Sequence, residues 1–134
     1  MPTFGKSSEK QLATCHPELQ RLLREAIKYI DFTVTEGFRG KEAQNAAYAK
    51  GFSQKKWPDG NHNKSPSLAA DIAPYPVDWS DKTRSVARFA MVQGVILTCA
   101  KDLGIKVRLG IDFNGNGDIR DDNFWDPPHV EIVL

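Results

Sequence analysis

The stretch Leu68-Ala-Ala-Asp-Ile-Ala-Pro-Tyr75 constrains this chain more than any other: it is an apolar run of strand length with one carboxylate in its middle. Such a run reads as a central strand that carries Asp71 into the interior. An unpaired carboxylate is costly to bury, so the fold has to bring Asp71 a partner.

The elements around this run alternate in kind, which makes the chain α+β: a small antiparallel sheet packed against helices, with the candidate site at the sheet. Pro17 opens a helix whose apolar positions Leu19, Leu22, Leu23, Ala26, Ile27 and Ile30 recur at three- and four-residue spacing. Residues 32–38 alternate and are rich in β-branched and aromatic side chains, the signature of a strand ending among Gly37 to Gly40. Residues 41–50, dense in alanine and followed by Gly51, read as a short helix with a glycine stop. From Phe52 to Ser67 the composition turns to Gly, Pro, Asn, Ser and Lys, the mark of a long surface loop, and loops of that length in a small domain are usually functional or disordered. Beyond Pro76 comes the longest helix, capped by Ser80 or Asp81 and stopped at Gly104, with Val86, Phe89, Ala90, Ile96, Leu97, Ala100 and Leu103 as its buried stripe. Residues 106–111 and 129–134 complete the strands.

At 134 residues the chain is expected to form a single domain, residues 1–134. Its 18 basic and 17 acidic residues leave no field of one sign and no basic run interleaved with aromatics, so nucleic acid is not an expected partner. The first residues lack an apolar core of the secretory type and no stretch approaches the length of a membrane span. The expectation is a monomer made in the cytoplasm without stable membrane association. Cys15 and Cys99 fit no metal-binding spacing and read as two buried free thiols.

The chemistry lies in the histidines. A catalytic zinc site typically takes three protein ligands and keeps one position for water. His62 in the long loop, Asp71 in the apolar strand and His129 near the end supply two imidazoles and a carboxylate. Singly, a loop histidine is solvated and an Asp near Pro forms turns; the joint pattern is what points to a metal. Asp126 stands three residues before His129 across Pro127-Pro128, a stiff tether that would hold a general base beside the site. Glu131 shares a strand face with His129, so it would either orient that ring or bind substrate.

The run Asp112-Phe-Asn-Gly-Asn-Gly-Asp118 matches a calcium loop at positions 1, 3, 5, 6 and 7, with Ile119 at the usual hydrophobic place and Asn123 where a bidentate Glu belongs. Asp112, Asn114, Asn116 and, by its backbone carbonyl, Asp118 are the candidate calcium ligands, closed by Asp121 or Asp122. The same composition also makes an ordinary polar turn between strands.

The combination Phe4-Gly-Lys-Ser, Glu36-Gly-Phe-Arg39, a His ahead of Ala-x-Asp71-x-Ala-Pro-Tyr, and Asp126-x-x-His129-Val-Glu131 resembles the phage L-alanyl-D-glutamate peptidase endolysins. These belong to the D-alanyl-D-alanine carboxypeptidase-like zinc peptidases, whose fold is the Hedgehog-like zinc peptidase type. The resemblance implies hydrolysis of a peptide bond in the peptidoglycan stem peptide, zinc on His62, Asp71 and His129, and Asp126 as general base. It also implies that Arg39 stabilises the oxyanion or holds a substrate carboxylate, with Gln44 at the site wall. An enzyme of this kind stays in the host cytoplasm until the membrane is breached. The chain departs from the family pattern in one place: His62 and Asp71 are nine positions apart rather than seven, with Ser65-Pro66-Ser67 between them and Lys64 at the family spacing. The first ligand is thus the open position of the set, although His16, the remaining histidine, abuts the start of the first predicted helix. The alternatives are a D-alanyl-D-alanine-cleaving enzyme, a non-catalytic zinc-dependent wall binder, an iron oxygenase using the same ligand types, and a calcium-binding protein.

Overall fold

The computed structural model of the chain describes residues 2–134. The apolar run becomes strand β2 (Ala69–Pro74), interior to a four-stranded antiparallel sheet ordered β1-β2-β4-β3. Its neighbours are β1 (Phe32–Glu36) and β4 (His129–Ile132), and β3 (Val107–Leu109) forms the far edge. Side chains alternate across a pleated strand, so the register decides what meets. Asp71 pairs with His129 across β2 and β4 and lies opposite Glu36 of β1, where a register shift bends the pairing. Arg108 of β3 lies opposite Glu131. The intervening residues Ala70, Ile72, Val130 and Ile132 turn to the other face and are buried in the core.

Helices cover that apolar face. In α2 (Pro17–Ala26), Leu19, Leu22, Leu23 and Ala26 make the buried stripe that the spacing predicts. The helix ends before Ile27 and Ile30, which pack from the following turn. His16 is its N-cap, accepting the Glu18 amide at Nδ1 (3.1 Å), and this structural duty removes it from the ligand question. The long helix α4 (Lys82–Leu103) starts at the Asp81 cap and stops at Gly104, whose φ of +71° suits glycine. Its buried face is Phe89, Val92, Gln93, Ile96, Cys99 and Ala100, while Ala90 and Leu97, expected inside, are exposed. The 3.6-residue repeat places 89, 92, 93, 96 and 100 on one side and turns 90 and 97 away.

A helix that the periodicity did not announce, α1 (Lys6–Leu12), lies against β1, where Ser8 Oγ accepts the Val34 amide (3.0 Å). The alanine-rich segment forms α3 (Lys41–Ala49), ended by Gly51 at φ +78°. Cys15 and Cys99 are buried free thiols, and burial pushes the Cys15 thiol up to about 11. No helix among the described residues is long and apolar enough to cross a membrane.

Candidate metal centre and active site

The long loop after α3 contains one 3-10 turn, Asn61–Asn63, and this turn makes His62 a buried residue instead of a solvated one. The turn is clasped to the segment that follows β1. The Arg39 amide donates to the His62 carbonyl (2.8 Å), and Asn63 Nδ2 donates to the Arg39 carbonyl (3.0 Å) and to Gln44 Oε1 (3.0 Å). His62 Nδ1 lies 2.7 Å from the Gly37 carbonyl, which can only accept, so Nδ1 carries the proton and Nε2 of the neutral ring presents a lone pair. Gly37 tolerates no side chain here, because a Cβ would run into Thr14 Oγ1 and the Gln11 carbonyl of the α1 end.

His129 is fixed in the complementary sense. Its Nε2 donates to Glu131 Oε1 (2.7 Å), leaving Nδ1 free to face Asp71. The Asp71 Oδ1 atom is then 3.3 Å from His62 Nε2 and 3.6 Å from His129 Nδ1. His62 Nε2 and Asp71 Oδ1 are both buried with no hydrogen-bond partner. Lone pairs facing one another in a buried site call for a cation between them, and a single ion satisfies all three groups where two separate protons would otherwise be needed. One ligand atom from each residue falls within 4.8 Å of the others. Tetrahedral zinc with bonds of about 2.0–2.1 Å sets its ligand atoms about 3.3 Å apart, close to the spacing about Asp71. The donor set and its geometry therefore fit a metal ion such as zinc.

The surroundings hold Asp71 ionised. Burial alone would raise its carboxyl, but the adjoining His129 and His62 rings outweigh that and hold it well below the usual carboxylate range. Its second oxygen, Oδ2, accepts from Arg39 (3.2 Å). Burial would depress the His129 imidazole, yet Asp71 and Glu131 raise it to about 9. Asp126 shifts the other way from Asp71: burial and the nearby Asp71 charge push its carboxyl up. It lines the same open cleft of about 660 Å3 as His62 and His129. Gly110 braces the segment from the side: its amide donates to the His129 carbonyl and its carbonyl accepts from the Asp126 amide (both 2.8 Å).

Residues 2–133 match the family described as phage L-alanyl-D-glutamate peptidase. The chain is 40% identical to the L-alanyl-D-glutamate peptidase of Escherichia phage T5, over 97% of each protein. Its fold is similar to the crystal structure of the Serratia marcescens L-Ala D-Glu endopeptidase ChiX, with a TM-score of 0.72 and 25% identity over 98% of this chain and 90% of that one. The chain belongs to the phage L-alanyl-D-glutamate peptidase family.

For this peptidase, the structure brings His62, Asp71 and His129 together despite the wider spacing between the first two, with His62 on the 3-10 turn and Asp71 on β2. Lys64, at the family spacing, is exposed. Arg39 is largely buried, and its guanidinium is already engaged by Glu36 Oε1 (2.7 Å), Gln44 Oε1 (3.1 Å) and Asp71. Gln44 is buried behind it and passes its amide hydrogens to Ser53 and to the Lys55 carbonyl, so it supports the wall more than it faces substrate. Glu131 is buried and holds His129 and Asn61 Nδ2 (2.7 Å), an orienting position.

Three supporting residues had escaped the sequence reading: Asn61, Asn63 and Gln93. Gln93 Nε2 donates to the carbonyl of Pro127 (2.7 Å) and lies near that of His129 (3.3 Å), tying α4 to the Asp126–His129 tether. A glutamine on an otherwise apolar helix stripe was the available signal, by the reasoning applied to Asp71.

In the Asp112–Asp122 loop, Asp112 Oδ2 accepts from the Gly117 amide (2.8 Å), and Asp121 accepts from Asn114 (3.0 Å) and Asn116 (2.6 Å). The Asp118 side chain pairs with Arg120. Asp112 Oδ1 and Asp122 Oδ2 are buried without partners. Among the described residues these acidic groups form no three-residue ligand cluster like that at His62, Asp71 and His129.

Proposed function

We propose that this L-alanyl-D-glutamate peptidase acts on the peptidoglycan stem peptide by zinc-assisted hydrolysis, with His62, Asp71 and His129 as the metal ligands. The observation that carries this reading is the convergence of their unshared lone pairs beside a buried carboxylate in an open cleft. Zinc bound there would supply Lewis acidity, making a water proton easier to remove at neutral pH and polarising the scissile carbonyl. Asp126 takes the proton from the attacking water and delivers it to the leaving amine. Its raised proton affinity suits a group that must accept and then release a proton. Arg39, anchored to Glu36 and Asp71, keeps positive charge at the cleft wall where the oxyanion develops. Glu131 orients His129.

One hydrophobic core joins residues of α1, α2, α4 and all four strands, which supports reading residues 1–134 as a single catalytic unit. In a lytic role the protein accumulates in the host cytoplasm and reaches the wall after the membrane is breached. The test is digestion of purified peptidoglycan by zinc-loaded protein followed by mass spectrometry. New free amino groups on D-glutamate are expected, and intact muropeptides overturn the proposal.

A second reading concerns the Asp112–Asp122 loop, which we infer to be a calcium site built from Asp112, Asn114, Asn116, the Asp118 carbonyl and Asp121 or Asp122. The buried, unpartnered oxygens of Asp112 and Asp122 support it. Because the loop leads into Asp126, an ion there would order the catalytic tether. Chelator-stripped, zinc-reconstituted protein should gain activity on adding calcium, and unchanged activity counts against the reading.

A further inference from the structure

The second wall of the cleft contains a cation that the proposed chemistry leaves unused. Arg108 sits on edge strand β3 opposite Glu131, with its side chain 53% exposed. Its guanidinium lies over the Phe113 ring, 5.6 Å from the centroid, and the Phe113 ring lies 5.6 Å from that of His129. The contact to Glu131 Oε2 is 3.5 Å, longer than a hydrogen bond, since that carboxylate gives its short bonds to His129 and Asn61. The guanidinium therefore lines the cleft with its donors uncommitted to a short hydrogen bond, seated over the aromatic ring and close to His129.

The substrate supplies the reason for such a group. Glutamate has two carboxyls, and a peptide that continues past it uses one. The other stays as an anion within a residue of the scissile bond. The cleft that must receive this anion is lined by Asp59, Asp121, Asp122, Asp126 and Glu131. Its cations are Arg39, Lys55 and Arg108, and the Arg39 guanidinium is already engaged by Glu36, Gln44 and Asp71. Between the remaining two, a seated planar fork matches a carboxylate bidentately, whereas a lysine offers a mobile point charge.

We propose that Arg108 recognises the free carboxylate of the glutamate on the leaving side of the cleaved bond and so sets specificity for glutamate over its amidated form. This rests on the peptidase reading above. The test measures kcat/KM on two synthetic stem peptides that differ only in whether that glutamate carboxyl is a carboxylate or a carboxamide. Zinc-loaded wild type, R108Q, R108K and K55Q are compared, with zinc content and circular dichroism checked for each.

Wild type should prefer the carboxylate. R108Q should lose about 10- to 100-fold on it and less than about threefold on the carboxamide, the scale of a charge-assisted pair. R108K, which keeps the charge without the fork, should show an intermediate preference and carries the test if R108Q does not fold. Equal losses on both peptides would mean that Arg108 merely positions Glu131 and His129, and would overturn the proposal. A wild type without preference, a preference unaltered in R108K, or one erased by K55Q instead would also overturn it. If wild type cleaves neither peptide, the peptidase reading itself fails, which separates the two failures.

Discussion

Replacing Glu131 by alanine tests whether the metal centre depends on groups that do not touch the metal. Glu131 is buried and accepts two 2.7 Å hydrogen bonds, from His129 Nε2 and Asn61 Nδ2, with Arg108 3.5 Å away. Truncation releases the His129 ring, which can then rotate or change tautomer, and removes the negative charge that makes its imidazole more basic. Loss of such an orienting partner lowers metal affinity about 10- to 100-fold, or about 1.4–2.8 kcal/mol. Metal-free protein should also lose about 1–3 kcal/mol of stability from the stranded donors of His129 and Asn61. Glu131→Gln separates the contributions: its amide oxygen can still accept from His129, while its amide nitrogen meets the donors of Asn61 and Arg108, so an intermediate affinity is expected. Competition with a chromophoric zinc chelator reads the affinity and denaturant melts of metal-free protein read the stability. An E131A variant that binds zinc as tightly as wild type would refute the idea that this carboxylate organises the site.

Asp126→Asn keeps the shape of the side chain and removes the base, so zinc binding should persist while kcat falls about 100- to 10,000-fold; comparable activity would remove Asp126 from the mechanism. In metal-free protein the His129 imidazole is raised to about 9, and zinc must displace its proton. Apparent zinc affinity should therefore climb about tenfold per pH unit and level off above about 9, with buffer-dependent calorimetric heats showing proton release; buffer-independent heats would contradict this. By linkage, that raised value stabilises metal-free protein fully below its ordinary value of 6.5, and the contribution disappears as pH rises through about 9. Gly110→Ala should cost about 1–3 kcal/mol and weaken zinc binding, because the added methyl overlaps the Asp126 carbonyl and comes within 2.8 Å of His129 Cβ. A wild-type melting temperature and zinc affinity in that variant would show that the tether gives way freely.

Elements whose signals are local were legible from the amino-acid order alone. The alternation of residues 32–38, the Leu19, Leu22, Leu23 and Ala26 stripe and the Asp81 and Gly104 boundaries each follow from a few neighbouring residues, and the elements form there, the strand ending two residues earlier at Glu36. Asp71 was legible as a buried carboxylate because its apolar neighbours left it no inexpensive environment. Its partners were harder to read. Two of the three candidate ligands meet through the β2 and β4 register, which pairs Asp71 with His129, but the third arrives on a turn with no periodicity of its own.

Packing across the fold is what buries His62, leaves its Nε2 as the free nitrogen and brings Arg39 from the cleft wall to Asp71. The outward turn of Ala90 and Leu97, the helix at Lys6–Leu12 and the grip of Gln93 on Pro127 belong to the same class. Local sequence encodes which backbone dihedrals and which face of an element are favoured. Proton placement and ligand geometry depend on hydrogen bonds between groups far apart in the chain, such as Gly37 with His62 and Gln93 with Pro127, and these exist only once the sheet and its covering helices have packed.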